Sequence, residues 1–303
     1  MNRVNSDKRG DDKMIIQTGM RTDIPAFYSK WFLNRIKEGY VCVRNPYNPK
    51  QVTKYSLSPE VVDLIAFCTK NPLPMLPFLD ELKPYGQYWF VTITPYGRDI
   101  EPNVPDKETV MEGFKELSDV VGADSMGWRY DPIFIDKKHS VEGHISEFEK
   151  MAEILAGYTK TCVISFIDIY KKVERNFPEA KSVRAEDRAV IGKAFVKIAS
   201  KYGMVLKPCA EGEDLAKYGA DCSGCMTVHT FETALNSRLE VPKRKKNQRN
   251  GECACLLGTD IGAYDTCGHL CKYCYANVNP VLVKENMRKH NPDSPFLIGG
   301  YRL

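Results

Sequence analysis

"YWFVTITPYGRD", residues 88–99, is a run of seven aromatic and β-branched residues that stops at Pro95 and turns charged at once. Such a run suits a buried strand, and Pro95 cannot extend a hydrogen-bonded ladder. Downstream the period changes: Val110, Phe114, Leu117 and Val120 fall on one helical face. Strand, polar loop and amphipathic helix make one β/α unit, and the unit recurs. Further strands are predicted in "MIIQTG" (14–19), "VVDLIAFC" (61–68), "ADSMGWRY" (123–130), "CVISFID" (162–168) and "GMVLKPC" (203–209), with a weaker seventh in "CLLGTDIGA" (255–263). Helical faces are formed by Phe27, Trp31, Phe32 and Ile36, by Ile145, Phe148, Ala152 and Leu155, and by Val190, Ala194, Phe195 and Ile198. "GYVCVRNP" and "QVTKYSLS" read as a hairpin after the first helix.

Six or seven units in about 250 residues predict an α/β fold, and within that class a (β/α) barrel, complete or partial and TIM-like, rather than an open doubly wound sheet. Neither G-x-G-x-x-G nor a Walker A loop is present, which excludes the two commonest nucleotide folds. The expected organisation is a polar, disordered leader at 1–13, β/α units over 14–208, and a cysteine-rich part at 209–303 that closes the same domain.

The net charge is +4, from 43 Lys and Arg against 39 Asp and Glu, too slight to indicate a nucleic-acid or membrane-surface partner. The one basic run, "VPKRKKNQRN" at 241–250, lacks an aromatic on which a base could stack. No stretch approaches the roughly 18–20 apolar residues of a membrane span, and "MNRVNSDKRGDDK" lacks the apolar part of a secretory signal. A cytoplasmic protein is expected, with a small molecule as partner.

In a β/α barrel, functional groups stand where strands end. Here the segments after the strands are "RTDIP", "TKNP", "TPYGRD", "RYDP", "DIYKK" and "CAEGED". Arg21, Asp23, Lys70, Asn71, Tyr96, Arg129, Asp131, Asp168, Tyr170 and Glu211 are therefore candidates to line one polar cavity. Asp and Pro at these places also serve as caps and turn formers.

Eleven cysteines are unevenly placed. Cys42, Cys68 and Cys162 sit alone among apolar residues and read as small buried thiols. The other eight lie between Cys209 and Cys274, where short spacings read as metal ligands rather than disulfides. Cys267, Cys271 and Cys274 form C-x3-C-x2-C, a pattern expected by chance only ~0.014 times at this cysteine frequency. Three thiolates can hold three irons of a cubane and leave the fourth open. Cys209, Cys225, Cys253 and Cys255 are candidate ligands of a second site, zinc or iron-sulfur, with Cys222 nearby. His269, inside the first motif, offers an alternative Cys3His zinc site.

The motif, with Tyr273 just before its last cysteine, resembles the cluster loop of the radical SAM superfamily. That resemblance implies a 4Fe-4S cluster on Cys267, Cys271 and Cys274, with S-adenosylmethionine chelated to the open iron and Tyr273 near its adenine. It implies reductive cleavage to a 5'-deoxyadenosyl radical, with a reductant such as flavodoxin or ferredoxin. From about Met14 the chain also resembles the DUF1848 family, through "RTDIPAFY", "VRNPYNPKQV", "TKNP", "TPYGRDIEPNVP", "WRYDPI", "CVISFIDIY" and "DIGAYDTCGHLCKYCYAN". Radical SAM proteins carry the loop after their first strand, whereas here it comes late. A circularly permuted barrel reconciles the two: "LLGTDIGAYDT" feeds the loop, "PVLVKENMRKH" (280–290) follows as a helix, and the last strand neighbours the first. Thr18, Arg21 and Asp23 then become candidates to touch the cofactor. The competing expectation is a non-catalytic zinc or iron-sulfur protein, using its basic run on nucleic acid. A hydrolytic metalloenzyme is disfavoured by five histidines without an H-x-H or H-E-x-x-H pair.

Overall fold

The structure, a computed structural model, describes residues 4–6, 13–239, 255–256 and 258–300. A short strand β1 (Val4–Ser6) precedes β2 (Met14–Gln17), followed by α1 (Ile24–Phe27) and α2 (Ser29–Glu38). Strands β3 (Tyr40–Asn45) and β4 (Asn48–Ser56) pair antiparallel as the predicted hairpin, and β1, from the segment expected to be a leader, adds in parallel to β4. The chain continues through β5 (Val62–Thr69), β6 (Gly86–Thr92), α3 (Lys107–Val121), β7 (Met126–Ile133), α4 (Val141–Leu155), β8 (Thr161–Phe166), α5 (Lys171–Asn176) and α6 (Ala185–Lys201). It ends with β9 (Val205–Pro208), α7 (Val228–Leu235), β10 (Thr259–Asp260) and α8 (Pro280–Arg288).

All seven predicted strand segments enter one parallel sheet, in the order β10-β2-β5-β6-β7-β8-β9. Apart from β10, the strands lie side by side in chain order, as a singly wound β/α chain lays them down. Strand β10 pairs with β2 through Thr259 with Ile16 and Asp260 with Gln17, so the late strand does neighbour the early one. The mixed α/β class is as the sequence predicts. A closed barrel is not shown, because among the described residues no pairing joins β9 to β10.

Successive strand residues face opposite ways, and the two faces are buried differently. Ile65, Phe67, Trp89, Val91, Trp128 and Ile164 join a large core with Trp31 and Phe32 of α2, Phe114 of α3, Phe148 of α4 and Phe195 of α6. Its rings stack closely, Phe67 on Trp89 at 3.7 Å and Phe148 on Phe195 at 3.8 Å between centroids. Truncating one such ring to alanine costs about 3–5 kcal/mol. The alternate residues Leu64, Ala66, Tyr88, Phe90 and Val163 pack instead with Phe231 of α7, Cys225 and Met226. Helices α2, α3, α4 and α6 thus share one face, and α7 with the cysteine-rich segment fills the other. A doubly wound sheet would divide its long helices between both faces.

Two residues assigned to helical core stripes are exposed, Val120 at 58% and Val190 at 52%. Each lies a quarter turn or so from the stripe, which runs through Val110, Phe114 and Leu117 in α3 and through Ile191, Phe195 and Ile198 in α6. The segment after α8 seats on α2 and β3: Trp31 Nε1 donates to the Ser294 carbonyl at 2.9 Å, and the Cys42 N–H to that of Pro295 at 2.8 Å. No helix among the described residues is long and apolar enough to cross a membrane.

Candidate functional site

A cavity of about 310 Å³ opens at the carboxyl ends of the sheet strands. Its wall takes Arg21 and Asp23 from the loop after β2, Cys68 and Lys70 from the end of β5, and Arg129 and Asp131 from β7. Ser165 and Asp168 come from β8 and its loop, and Cys209 from the end of β9. The segments around Cys225, Cys255 and 267–276 complete it. Seven of the ten described cysteines face this one space; Cys42, Cys162 and Cys222 do not.

Cys267, Cys271 and Cys274 form one wall, on a loop held from several sides. Its base closes through Asp265 N–H to the Ala276 carbonyl at 3.1 Å. Asn277 Nδ2 donates to the Cys267 carbonyl at 2.9 Å, and Tyr28 OH to that of Thr266 at 2.7 Å. The loop after β6 grips it too, with Lys272 N–H on the Ile100 carbonyl at 3.0 Å and Asn103 Nδ2 on that of Gly268 at 2.8 Å. Leu270 adopts φ 57°, which lets the chain turn between Cys267 and Cys271. His269 also lines the cavity, with both ring nitrogens engaged: its Nε2 lies 2.9 Å from Asp23 Oδ2 and its Nδ1 3.2 Å from the Asn103 carbonyl. Both ring nitrogens have protein partners, so His269 secures the loop instead of completing a Cys3His set. Burial pushes the thiols of Cys267 and Cys271 above their ordinary range. Cys274 Sγ accepts the Ala276 N–H at 3.3 Å.

Cys68, Cys209, Cys225 and Cys255 line the same cavity. Cys225 Sγ lies 3.3 Å from Cys255 Sγ and 3.8 Å from Cys209 Sγ, and Arg129 Nη1 is 3.9 Å from Cys225 Sγ. The bond with Cys209 favours the Cys225 thiolate, but Cys255 and burial outweigh it and carry the thiol to about 11. Cys253 lies outside the described residues. By its neighbours in sequence Cys68 reads as an inert buried thiol, and the structure puts it on the cavity wall. The signal is its place at a strand end, two residues before Lys70.

Polar groups line the rest. Arg21 is committed to β10, with Nε on Asp260 Oδ1 at 2.7 Å and Nη2 on the Asp260 carbonyl at 2.5 Å. Asp23 is a hub: besides His269 it accepts the Lys70 N–H at 2.7 Å and caps α1 through the Ala26 N–H at 3.0 Å. Lys70 Nζ pairs with buried Glu101 at 2.9 Å, and Glu101 Oε1 also accepts from Thr94 at 2.8 Å and from the Tyr273 hydroxyl. Burial disfavours the Lys70 charge, yet Glu101 and Cys271 hold its pKa above the ordinary value. Arg129 bonds to Asp131, which also accepts from Ser165. Burial raises the Asp131 carboxyl, and Arg129 with Ser165 brings it below its usual range. Asp168 stands exposed at the mouth and accepts the Tyr170 hydroxyl at 2.9 Å.

Four predicted residues do not reach the cavity wall. The Tyr96 hydroxyl donates to the Pro132 carbonyl at 2.8 Å and accepts from the Phe134 N–H at 3.2 Å, which makes it a core tyrosine. Asn71 turns its Oδ1 back to the Leu73 N–H at 3.2 Å. Glu211 accepts the Phe166 N–H at 2.8 Å and pairs with Arg188 at 3.0 Å; burial still pushes its carboxyl from 4.5 to about 7. Thr18 is fully buried beneath the wall. Sequence reasoning misses Glu101, since nothing in its spacing marks it and only the tertiary fold brings it under Tyr273.

The loop thiols can be tested for fit to the cluster that the motif implies. No three or more His, Cys, Asp or Glu side chains among the described residues are gathered as a ligand set for one ion. A cubane asks for a different arrangement, with each sulfur reaching its own iron from one side. The loop presents three thiols from one wall, a backbone N–H aimed at the Cys274 sulfur, and burial that leaves thiolates in need of a cation. Beside them on the wall, the hydroxyl of Thr22 is buried with no partner among the described residues, as is that of Thr18 behind it. This donor set fits an open cluster with a polar ligand.

No curated protein matches the chain, and no solved structure does. One family model spans residues 15–276, from β2 to the end of the cysteine loop, and therefore covers every strand of the large sheet. By that match the chain belongs to the DUF1848 family, described as a domain of unknown function.

Proposed function

We propose that this protein is a radical SAM-like iron-sulfur enzyme, built on a partial β/α barrel in permuted order and acting on a small polar substrate in the cytoplasm. The observation that carries this reading is the meeting, in one cavity, of the three C-x3-C-x2-C thiols with the charged groups from the carboxyl ends of the strands. When bound and reduced by a donor such as flavodoxin or ferredoxin, the cluster supplies the electron that cleaves S-adenosylmethionine. Cys267, Cys271 and Cys274 would hold it.

The chain's own residues do the rest. Tyr273 is oriented by Glu101 and Lys70, whose ammonium lies 5.5 Å from the centre of its ring. Thr22 offers a hydroxyl from the loop after β2. Arg21 acts indirectly, by clamping β10 and hence the start of the cysteine loop. Arg129, Asp131 and Ser165 make a polar floor suited to orienting a hydrogen-bonding substrate, with Asp168 and Tyr170 at its entrance.

The test is anaerobic purification with assays of iron, sulfide and zinc, then reduction with dithionite in the presence of S-adenosylmethionine. About four irons per chain and formation of 5'-deoxyadenosine are expected, and serine at Cys267, Cys271 or Cys274 should abolish both. Zinc without sulfide on this loop would sink the reading, and a cluster that never cleaves the cofactor would leave a binding or electron-transfer protein.

A further inference from the structure

The second group of thiols on the cavity wall is not used by that reading. Cys209 ends β9, Cys225 precedes α7 and Cys255 precedes β10, so three separate segments bring their sulfurs to one place. Two thiolates on one tetrahedral zinc ion, with Zn–S about 2.3 Å, stand about 3.8 Å apart. Thiolates of one cubane bind different irons and stand much farther apart. The observed 3.8 Å from Cys225 to Cys209 equals that spacing, and the 3.3 Å from Cys225 to Cys255 is shorter than it, so both pairs lie nearer to the single-ion spacing than to that of a cubane. Two donors face these sulfurs: the Met226 N–H points at Cys255 Sγ from 3.4 Å, and Arg129 Nη1 lies 3.9 Å from Cys225 Sγ. The three thiols do not surround a single point, so an ion bound there requires them to turn about χ1 from the positions seen.

We propose that Cys209, Cys225 and Cys255 hold a single zinc-class ion whose fourth position faces the cavity that the C-x3-C-x2-C loop also lines. An ion there would take a thiolate, amine or carboxylate donor of the substrate, as catalytic zinc sites with three protein ligands do. The site stands on its own geometry and does not depend on the loop cluster.

The full chain carrying serine at Cys267, Cys271 and Cys274 separates the two centres. It should retain about one zinc per chain by plasma mass spectrometry, and Cys225→Ser added to it should lower zinc affinity at least tenfold. Should Cys225→Ser fail to fold, judged by circular dichroism, metal-free protein with native Cys209, Cys225 and Cys255 decides the matter. Cobalt(II) should give it intense thiolate charge-transfer absorption, and zinc should protect those three cysteines from iodoacetamide in peptide mapping. No protection, zinc lost with the loop serines but kept in Cys225→Ser, or a Cys225–Cys255 disulfide in freshly isolated protein would each overturn the assignment. Absence of iron and sulfide, with zinc protection intact, would refute only the radical SAM reading.

Discussion

Asp23 accepts a hydrogen bond from the imidazole of His269 at 2.9 Å, across 246 residues of sequence. Both side chains are buried, at 7% and 2% exposure, and the same carboxylate holds the Lys70 N–H and caps α1. Asp23 is therefore a positioning residue that fastens the cysteine loop to the ends of β2 and β5. Asp23→Ala removes a helix cap worth about 1 kcal/mol and strands further buried donors at about 1–3 kcal/mol each. A loss of at least about 3 kcal/mol is expected in urea unfolding, with less iron bound per chain. A loss under about 1 kcal/mol with full iron would mean that Asp23 is free to serve a ligand.

Glu101 gathers three donors on one oxygen and is 4% exposed. Lys70→Met leaves that carboxylate buried without its cation, a loss of about 3–5 kcal/mol. Adding Glu101→Met should recover much of it, because the uncompensated charge goes too. A double-mutant cycle in urea checks this, and additive losses would show that Lys70 and Glu101 do not act as a pair.

What was legible followed from periodicity. Trp89 and Val91 alternate with Tyr88 and Phe90 between two cores, so "YWFVTIT" had to be a strand buried on both faces. The recurrence of charge after strands located the cavity, because strand ends in a parallel sheet share one rim. It could not say which way a side chain points once there. Tyr96 and Glu211 follow strands as surely as Lys70 does, yet the one hydrogen-bonds to Pro132 and Phe134 and the other to Phe166 and Arg188. Cys68 shows the converse: its apolar neighbours hid a cavity position, since alternation puts one face of a buried strand toward the inner core. Whether the sheet closes depends on pairings between edge strands, which no local pattern encodes.

The carboxyl of Glu211, 10% exposed, is pushed from 4.5 to about 7 by burial, so the fold favours its protonated form. Between those values the folded chain binds more protons than the unfolded one, and stability must fall as pH rises. The contribution is fully present below pH 4.5 and gone above about 7, and at 1.36 kcal/mol per pKa unit it amounts to about 3 kcal/mol. Urea midpoints of the wild type minus those of Glu211→Gln should decline across that window. A flat difference would mean that the Phe166 N–H and Arg188 keep the carboxylate charged in spite of burial.

Gly258 tests whether the late strand's seat beside β2 matters to the cysteine loop. A Cβ at this position would overlap the backbone carbonyl of Ile15, and backbone cannot yield as a side-chain tip does. Strand β10 is held by two residue pairs, by Arg21 on Asp260, by the Met20 N–H on Asp260 Oδ2 at 3.0 Å and by the Ile261 N–H on the Gln17 carbonyl at 3.0 Å. Gly258→Ala should cost about 1–3 kcal/mol, as overpacking does, and should lower iron bound per chain by loosening the segment that leads into Cys267. Gly300→Ala, where a Cβ would meet open space, is the control and should change neither. If Gly258→Ala lowers stability but leaves iron loading intact, β10 serves the fold without positioning the loop. If it changes neither, the close packing of Gly258 against Ile15 is not what holds the two strands together.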